Sequence, residues 1–596
     1  MKTRIRDILS SQNQSRHSNR SAELTRIATC LQDGGPIVVW LHGPMGSGKT
    51  ELLSAFAKKA KDDGATIFGI DCRTVEPTIS GLLDALGELL RISLKDLDDA
   101  ATTLSGSGVP TVIMFDNYEV FRLADSWLRR EFIPALSASA RIVLVSREPP
   151  AAGWISSTEW RDYFLTVSLE AHDELSAEEL TRRYRAEVPE PEIRQAIDAV
   201  SVVRRITRPM LASLCPQIPD VELFEKLAGL SFVETRRDGL AIQDSLRKVI
   251  GSRLQAADVK QYRHYQQEAW KLLRQQLRES AHADLWRCTA DIIYLIENPV
   301  IREAFFPSQS AHFSVEPAMP ENKQAVMDTI ERHEPPGAIK ALELWWQYLP
   351  SAFHVIKDAT GTIAGFYCMA KPDELGDSWL QSDPIARNWQ HHLNLRGRSA
   401  RAPSLFLRRW LSRDDGESPS AVQAAAWVDI KRTYLELRPQ LRRVYLTLRD
   451  IGPYGPAATE LGFTVLEDCT VSLTGASYHT AMLDFGPGSV DGWICRLLAA
   501  ELGIAEGQLL DTASRELVLN GSRIPLTPLE FSLVSMLESR AGAAVSRSDL
   551  LQQVWGHDYE GGSNVVDAVV RGLRKKCGDN ARVLETVRGV GYRLRI

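Results

Sequence analysis

Apolar positions change their period from segment to segment along the chain, and each change marks a new module. The continuous runs IVVWL at 37–41, TVIMF at 111–115 and RIVLV at 141–145 read as strands buried on both faces, as in a parallel sheet. From 256 to 312 apolar residues recur at helical spacing without a glycine, which predicts a helical connector. Between 313 and 486 strands and helices mix: FHVIK at 353–357 and TIAGFY at 362–367 flank an Asp-Ala-Thr-Gly turn as a hairpin, followed by a helix over 421–437 and a strand over 443–448. A helix within 487–506 reads as a linker. The last segment, 507–596, opens with short alternating strands around Asn520-Gly521 and continues into three helices. Thr527, Pro528 and Glu530 combine a capping threonine, a first-turn proline and a reciprocal carboxylate, and Ser546 to Asp549 repeat that logic. In the third helix Val566, Val570, Leu573 and Cys577 share one face, while Asn564, Ala568, Arg571, Gly572 and Lys575 share the opposite one. A terminal hairpin over 584–594 carries Arg588 and Gly589 at its tip. The fold class expected is multidomain α/β and α+β.

Composition narrows this picture. At 596 residues the length prior is about four domains, and 44% hydrophobic with 24% charged residues excludes wholesale disorder or a fibrous repeat. A net charge of -6 excludes a chain that coats nucleic acid over its whole surface. The balance reverses locally, because nine Lys or Arg stand against six Asp or Glu from Val545 onward. Eight scattered cysteines without a Cys-x-x-Cys pair read as buried thiols in a reducing cytosol rather than as a metal site. No signal-peptide stretch or membrane-spanning run is present, so the expected location is cytoplasmic.

The strongest chemical signal is Gly43, Pro44, Met45, Gly46, Ser47, Gly48, Lys49 and Thr50, set between a strand and a helix-like stretch. Glycines let backbone amides curl around phosphate oxygens, Lys49 can reach the β- and γ-phosphates of ATP or ADP, and Thr50 can ligate Mg²⁺. Asp116, at the end of the 111–115 strand, is the second Mg²⁺ ligand, and Glu119 can orient an attacking water; these two are the candidate catalytic groups. Arg147, after the 141–145 strand, is a candidate γ-phosphate sensor. These motifs, with FDNYEVFRLADSWLRREFIPAL and RIVLVSREPPAAGW, resemble the STAND class of P-loop ATPases, relatives of AAA+ proteins that switch between ADP and ATP states. The resemblance implies an ATPase core over 31–171 behind an N-terminal segment 1–30. It also implies a helical lid and small winged helix over 172–255, which includes ELSAEELTRRY. In that class a lid proline packs on adenine, which maps to Pro209, although Thr207 replaces the usual glycine and Gln243 the usual histidine before Asp244. The turnover implied is slow, with nucleotide acting mainly as a population-shifting ligand.

The segment 313–486, closing in AATELGF, resembles the GNAT acetyltransferase fold. Where that family has a Gln/Arg-x-x-Gly-x-Gly/Ala pyrophosphate loop, this chain has Ser412-Arg413-Asp414-Asp415-Gly416-Glu417-Ser418-Pro419-Ser420, whose carboxylates repel a pyrophosphate. A degenerate sensor or scaffold is therefore expected.

TPLEFSLVSMLESRAGAAVSRSDLLQQVWG and NVVDAVVRGLRKKCGDNARVLETVRGVGYRLRI resemble the winged helix-turn-helix of the OmpR/PhoB regulators. By that resemblance the third helix enters the major groove of double-stranded DNA, with Asn564, Ala568, Arg571, Arg574 and Lys575 toward the bases and Arg588 on the neighbouring backbone or minor groove. The function expected is an ATP-binding transcription regulator whose nucleotide switch controls promoter or operator binding. Its expected partners are a second copy of the chain, RNA polymerase and an inducer or protein of unspecified identity. An ATP-regulated acetyltransferase targeted to DNA and an ATP-driven DNA remodeller or initiator are the alternatives.

Overall fold

The computed structural model describes residues 20–44, 47–105, 110–157, 159–170, 182, 184, 186–236, 238–279, 285–305, 313–376, 380, 382–394, 403–486, 488–504, 510–511, 515–519, 522–539, 544–556 and 564–594. The three N-terminal apolar runs become β1 (Val38–His42), β3 (Thr111–Asp116) and β4 (Ala140–Ser146), with β2 (Thr66–Asp71) and β5 (Phe164–Ser168) in the same sheet. The strand order is β2-β3-β4-β1-β5 and every pairing is parallel. Val38, Ile113 and Leu144 enter the core on one face, and Val39, Val112 and Val143 that on the other, which is why these strands carry no polar alternation. All carboxyl ends meet at one edge, where ligands of open α/β sheets bind. One expected boundary moves. Helix α1 (Ser21–Ala28) lies before residue 31, yet Ile27 and Cys30 are buried with Leu41, Leu52 and Phe56, because a short helix with an apolar stripe finds the open sheet face.

The lid helix expected over ELSAEELTRRY falls almost entirely outside the described residues. Beyond it come α2 (Pro191–Val200), α3 (Arg208–Leu214), the antiparallel hairpin β6 (Val233–Arg236) and β7 (Gly239–Ile242), and α4 (Asp244–Ala257). The connector is α5 (Val259–Glu279), α6 (Leu285–Leu295) and α7 (Pro299–Phe305).

A central sheet follows, built from β8 (Ser314–Pro317), β9 (Phe353–Lys357), β10 (Ile363–Ala370), β11 (Ser404–Ser412), β12 (Arg443–Leu448), β13 (Phe463–Leu473) and β14 (Ala476–Asp484). Its order is β13-β14-β12-β11-β10-β9-β8, antiparallel throughout except for the β11–β12 pair, whose parallel register ends at Leu407 and Leu446. Helices α8 (Lys323–His333), α9 (Pro336–Tyr348) and α10 (Pro384–Asn394) pack on one face and α11 (Ala421–Glu436) on the other.

Helix α12 (Ser489–Glu501) is not the linker expected over 487–506. Val490, Trp493, Ile494, Leu497 and Leu498 are buried in one continuous core with the lid, the connector and one face of the central sheet. A linker helix needs a polar face, and this one is apolar on nearly every side. Its Asp491 accepts from Arg438 Nη1 at 2.7 Å.

In the C-terminal unit β15 (Leu510–Asp511), β16 (Glu516–Leu519) and β17 (Ser522–Pro525) form a small sheet. Leu519 faces Ser522, leaving two residues for the turn expected at Asn520-Gly521, which lies outside the described residues. Helix α13 (Pro528–Ser539) starts with the reciprocal cap: Thr527 N donates to Glu530 Oε2 at 2.8 Å and Glu530 N to Thr527 Oγ1 at 3.3 Å. Strand β18 (Val545–Ser546), α14 (Arg547–Leu550), α15 (Asn564–Cys577) and the hairpin β19 (Leu584–Val587) and β20 (Gly591–Leu594) complete the unit. Val566, Val570, Leu573 and Cys577 are its buried helix face. Among the described residues no helix is long and apolar enough to cross a membrane.

Candidate functional site

The phosphate loop leaves β1 and returns into a helix that spans Lys49–Asp62. Gly43 has no room for a side chain, since a Cβ there would lie 2.5 Å from the Leu169 carbonyl oxygen, and Gly48 holds φ +81 at the helix entrance. Met45 and Gly46 lie outside the described residues. Lys49 Nζ donates to the Gly43 and Pro44 carbonyls, each at 2.7 Å, so the ammonium already sits over the loop. Burial lowers its pKa, with Arg147 adding to that and the Glu119 and Asp116 carboxylates opposing it. Ser47 is fully buried, and its Oγ has no partner among the described residues. A buried hydroxyl without a partner at this point fits an acceptor supplied from outside the chain.

Thr50 Oγ1 donates to Asp116 Oδ2 at 3.3 Å, so the loop and the second strand converge as the sequence predicts. Asp116 has its carboxyl pKa raised, mainly by burial and further by the Asp71 charge on the neighbouring strand. The Asp116 carboxylate and the Thr50 hydroxyl beside it have the oxygen donors that a divalent cation takes together with phosphate and water.

Glu119 and Arg147 meet, but on each other. Arg147 Nε lies 3.2 Å from Glu119 Oε1 and its backbone N donates to Glu119 Oε2 at 3.1 Å. Arg147 Nη2 also reaches Asp244 Oδ2 at 2.6 Å, and Arg247 holds the other oxygen of that carboxylate. Burial alone would raise the Asp244 pKa, but Arg247 and Arg147 outweigh it and leave it lowered. In this arrangement the sensor candidate clamps the first residue of α4 to the sheet edge and occupies the carboxylate expected to orient water. Pro209 stands exposed in the first turn of α3.

Three further contributors take at least one partner from a distant part of the chain. Arg20 Nη2 donates to the Ser47 and Glu170 carbonyls at 3.1 and 3.0 Å, bracing the phosphate loop from behind. Asp71 accepts from Arg73 Nη2 at 2.8 Å and from Asn117 Nδ2 at 3.0 Å, fixing the residue after Asp116. Asp244 is the third, and only its proximity to Gln243 in the lid marked it.

In the C-terminal unit Asn564, Ala568, Arg571 and Lys575 are exposed on one face of α15, and Arg588 is exposed at the hairpin tip beside Gly589, which has φ +78. Arg574 is the exception and corrects the expectation of a base contact. Its Nε donates to the Leu584 carbonyl at 3.0 Å, its Nη2 to Thr586 Oγ1 at 2.8 Å, and its guanidinium lies over the Tyr592 ring at 5.8 Å. A guanidinium that satisfies three groups of the hairpin is committed to joining helix and wing. Arg574→Ala is therefore expected to lower the stability of this unit by about 1–2 kcal/mol while leaving the salt dependence of any DNA binding unchanged. Thermal melts and binding at several salt concentrations read the two effects separately.

Residues 521–594 match the family described as "Transcriptional regulatory protein, C terminal". The chain is 45% identical over 89 residues to the transcriptional regulatory protein AfsQ1 of Streptomyces coelicolor, covering 14% of this chain and 40% of that protein. It is 42% identical over 89 residues to PrrA of Mycobacterium tuberculosis, covering 15% and 38%. The crystal structure of the DNA-binding domain of Bacillus subtilis CssR matches at 42% identity over 14% of this chain and 97% of that one, with a TM-score of 0.13. The C-terminal unit is thus a winged-helix domain of the OmpR type, and the chain spans about 40% of the length of the curated relatives it matches. A STAND protein with a tetratricopeptide repeat sensor from Pyrococcus horikoshii matches at 12% identity over 48% of this chain and 50% of that one, with a TM-score of 0.29. At those values the nucleotide site stands on its own residues.

Proposed function

We propose that this protein is a transcription regulator in which ATP or ADP, bound with Mg²⁺ at the N-terminal sheet edge, controls how the C-terminal winged helix meets promoter DNA. The carrying observation is the Arg147 clamp, because a group placed to sense a γ-phosphate also holds the lid through Asp244. ATP offers Arg147 a competing anion, and the lid is released only to the extent that ATP binds the open form better than the closed one. Lys49 and the loop amides would hold the phosphates, Thr50 and Asp116 the Mg²⁺, and Glu119 is freed for water only once Arg147 leaves it.

The exposed set Asn564, Ala568, Arg571 and Lys575 supports groove reading, and Arg588 supports a backbone contact. Asn564→Ala is expected to blur sequence preference by about 1–3 kcal/mol at one position, and Arg588→Ala to weaken all sequences alike and reduce the salt slope by about one. Identical binding by both variants and the parent chain would refute this docking.

The order of the central sheet and its single parallel pair support the acetyltransferase-like reading of that unit. Its cofactor seat is blocked by the chain itself. Where β11 and β12 part, Glu417 Oε1 accepts from the Arg449 and Asp450 amides at 2.9 Å each, and its Oε2 pairs with the buried Arg409. Helix α11 is capped by its own Ser420, whose Oγ accepts from Gln423 N at 3.2 Å. We infer a body without transferase activity, and saturable acetyl-CoA binding by calorimetry would contradict that. Selecting bound sequences from random DNA with ATP, with ADP and without nucleotide tests the whole reading, and equal enrichment in all three conditions would refute the switch.

A further inference from the structure

The face of the central sheet that carries α8, α9 and α10 holds two polar groups that the chain leaves unsatisfied. Leu407 and Arg409 pair with Met369 and Cys368, and the register skips Arg408, which is the extra residue of a bulge. Two successive arginines thereby enter the same face. Arg409 meets Glu334, just after α8, at 2.5 Å, and Arg408 meets Asp383, just before α10, at 2.6 Å through Nε. Arg408 is fully buried, yet its Nη1 and Nη2 have no partner among the described residues. Thr447 is fully buried as well, and its Oγ1 likewise has none.

These two groups are neighbours. Strands β11 and β12 stay in parallel register up to Leu407 and Leu446, and Arg408 and Thr447 are the next residue of each strand. Thr447 follows Tyr445 by two positions, so it faces the same core as Tyr445, Trp345 and Trp389. The polar groups around them are already engaged. Thr480, opposite Thr447, accepts from Trp389 Nε1 at 2.8 Å and donates to the Cys469 carbonyl at 3.2 Å. Asp383 also accepts from Trp345 Nε1 at 2.8 Å and from Ile385 N at 3.2 Å, and the Tyr478 hydroxyl donates to Glu334. A guanidinium edge and a hydroxyl left dry side by side are costly, and interiors seldom keep such groups without an occupant.

We propose that this spot binds a small neutral molecule with a carboxamide or urea group. Its carbonyl oxygen accepts from Arg408 Nη1 and Nη2, and its NH₂ donates to Thr447 Oγ1. The buried charges select neutrality: Arg408 and Arg409 stand against Asp383, Glu334 and Glu417, so carboxylates already exceed guanidinium groups by one. A ligand carboxylate would enlarge that buried excess, and an ammonium would bring only donors to a guanidinium that lacks acceptors. Arg409 lines an open groove with His333, Leu411 and Ser477, and Arg408 lies one residue further in, so the groove is the way in. The site stands apart from the regulator reading above, and neither depends on the other.

The test is calorimetric titration of the full chain with propionamide, with propionate and propylamine as the anion and cation of similar size. Saturable binding of the amide alone is expected, in the roughly millimolar range that so few atoms allow. Thr447→Val keeps the shape and removes the hydroxyl, so amide binding should weaken about tenfold while the ligand-free melting temperature does not fall. A purely structural hydroxyl would instead lower that temperature, which overturns the site. Arg408→Met combined with Asp383→Asn removes the ion pair as a unit and should abolish binding. Equal or tighter binding of propionate or propylamine, no saturation by the amide up to roughly 50 mM, or undiminished amide binding by Thr447→Val would each overturn the proposal.

Discussion

Lys49→Ala should abolish ATP and ADP binding, with a loss of about 3 kcal/mol or more, roughly a hundredfold or greater in Kd. Lys49 is the cation on the loop itself, half-buried, with its ammonium held over the Gly43 and Pro44 carbonyls where phosphate oxygens would arrive. Removing it leaves the loop amides, the Ser47 hydroxyl and the Thr50–Asp116 pair, which position a nucleotide but do not balance its charge. Among the described residues the ammonium bonds the Gly43 and Pro44 carbonyls at the surface edge, so its loss should barely change the melting temperature. Calorimetry and thermal melts together check both halves. Tight ATP binding by a folded variant would remove the site assignment.

Glu316→Gln should destabilise the protein by about 3 kcal/mol at neutral pH and disconnect nucleotide state from DNA binding. Glu316 sits on the edge strand of the central sheet, yet its partners lie mostly in the N-terminal α/β unit. Arg129 Nη2 is 2.6 Å from Oε1, and Arg130 Nη1 and Lys357 Nζ are 3.1 and 2.9 Å from Oε2. Arg129 and Arg130 belong to a π-helical turn over Leu128–Phe132, in the chain that follows Asp116 and Glu119. Burial alone would raise the Glu316 carboxyl; Arg129 and then Lys357 outweigh it and hold the pKa at about 2, against an ordinary 4.5. A depressed folded-state value contributes stability that is complete above pH 4.5 and disappears as pH falls toward 2, about 3 kcal/mol in all. The gap between wild-type and variant melting should therefore be full at pH 7 and close on acidification through that window. A gap that stays constant would mean the carboxylate charge is not what holds the two units together.

A second buried pair joins the same units. Arg438, 1% exposed at its side chain, donates through Nε to Glu76 Oε1 at 2.9 Å and through Nη1 to Asp491 Oδ1 at 2.7 Å. Charges buried between domains are costly to separate once their water has been removed, so these pairs favour coupled movement of the N-terminal and central units.

Much of the candidate nucleotide site is legible in the sequence because its chemistry is consecutive. Eight adjacent residues carry the loop, and the strand before it and the helix after it announce themselves by apolar period. Asp116 was legible as the end of a buried run, but the reason it reaches Thr50 is the strand order, which puts β4 between β1 and β3 and levels their ends. Arg147 was found as a polar residue after a strand, without any sign that its guanidinium would choose Glu119 and Asp244. The recognition helix shows the same division. Its 3.6-residue period correctly separated Val566, Val570, Leu573 and Cys577 from Asn564, Ala568, Arg571 and Lys575. A wheel does not contain the hairpin onto which Arg574 folds. Helix α12 reads as a linker from its position between modules, but its apolar residues on nearly every side place it in the core.

By itself the sequence determined what is local in this protein: the strands and helices, the caps at Thr527 and Ser546, the phosphate loop and the winged-helix unit. These follow from backbone preferences and from side-chain periods that act over a few residues. Only the tertiary structure decided which charges neutralise which. Arg129 with Glu316, Arg438 with Glu76, and Arg409 with Glu417 at the strand gap all depend on burial, since a guanidinium in water has no reason to prefer one carboxylate, while the more exposed Arg147 meets Asp244 because the fold brings the start of α4 to the sheet edge. Inside the fold, with solvent excluded, each arginine must find a partner nearby, and topology determines which carboxylates are near.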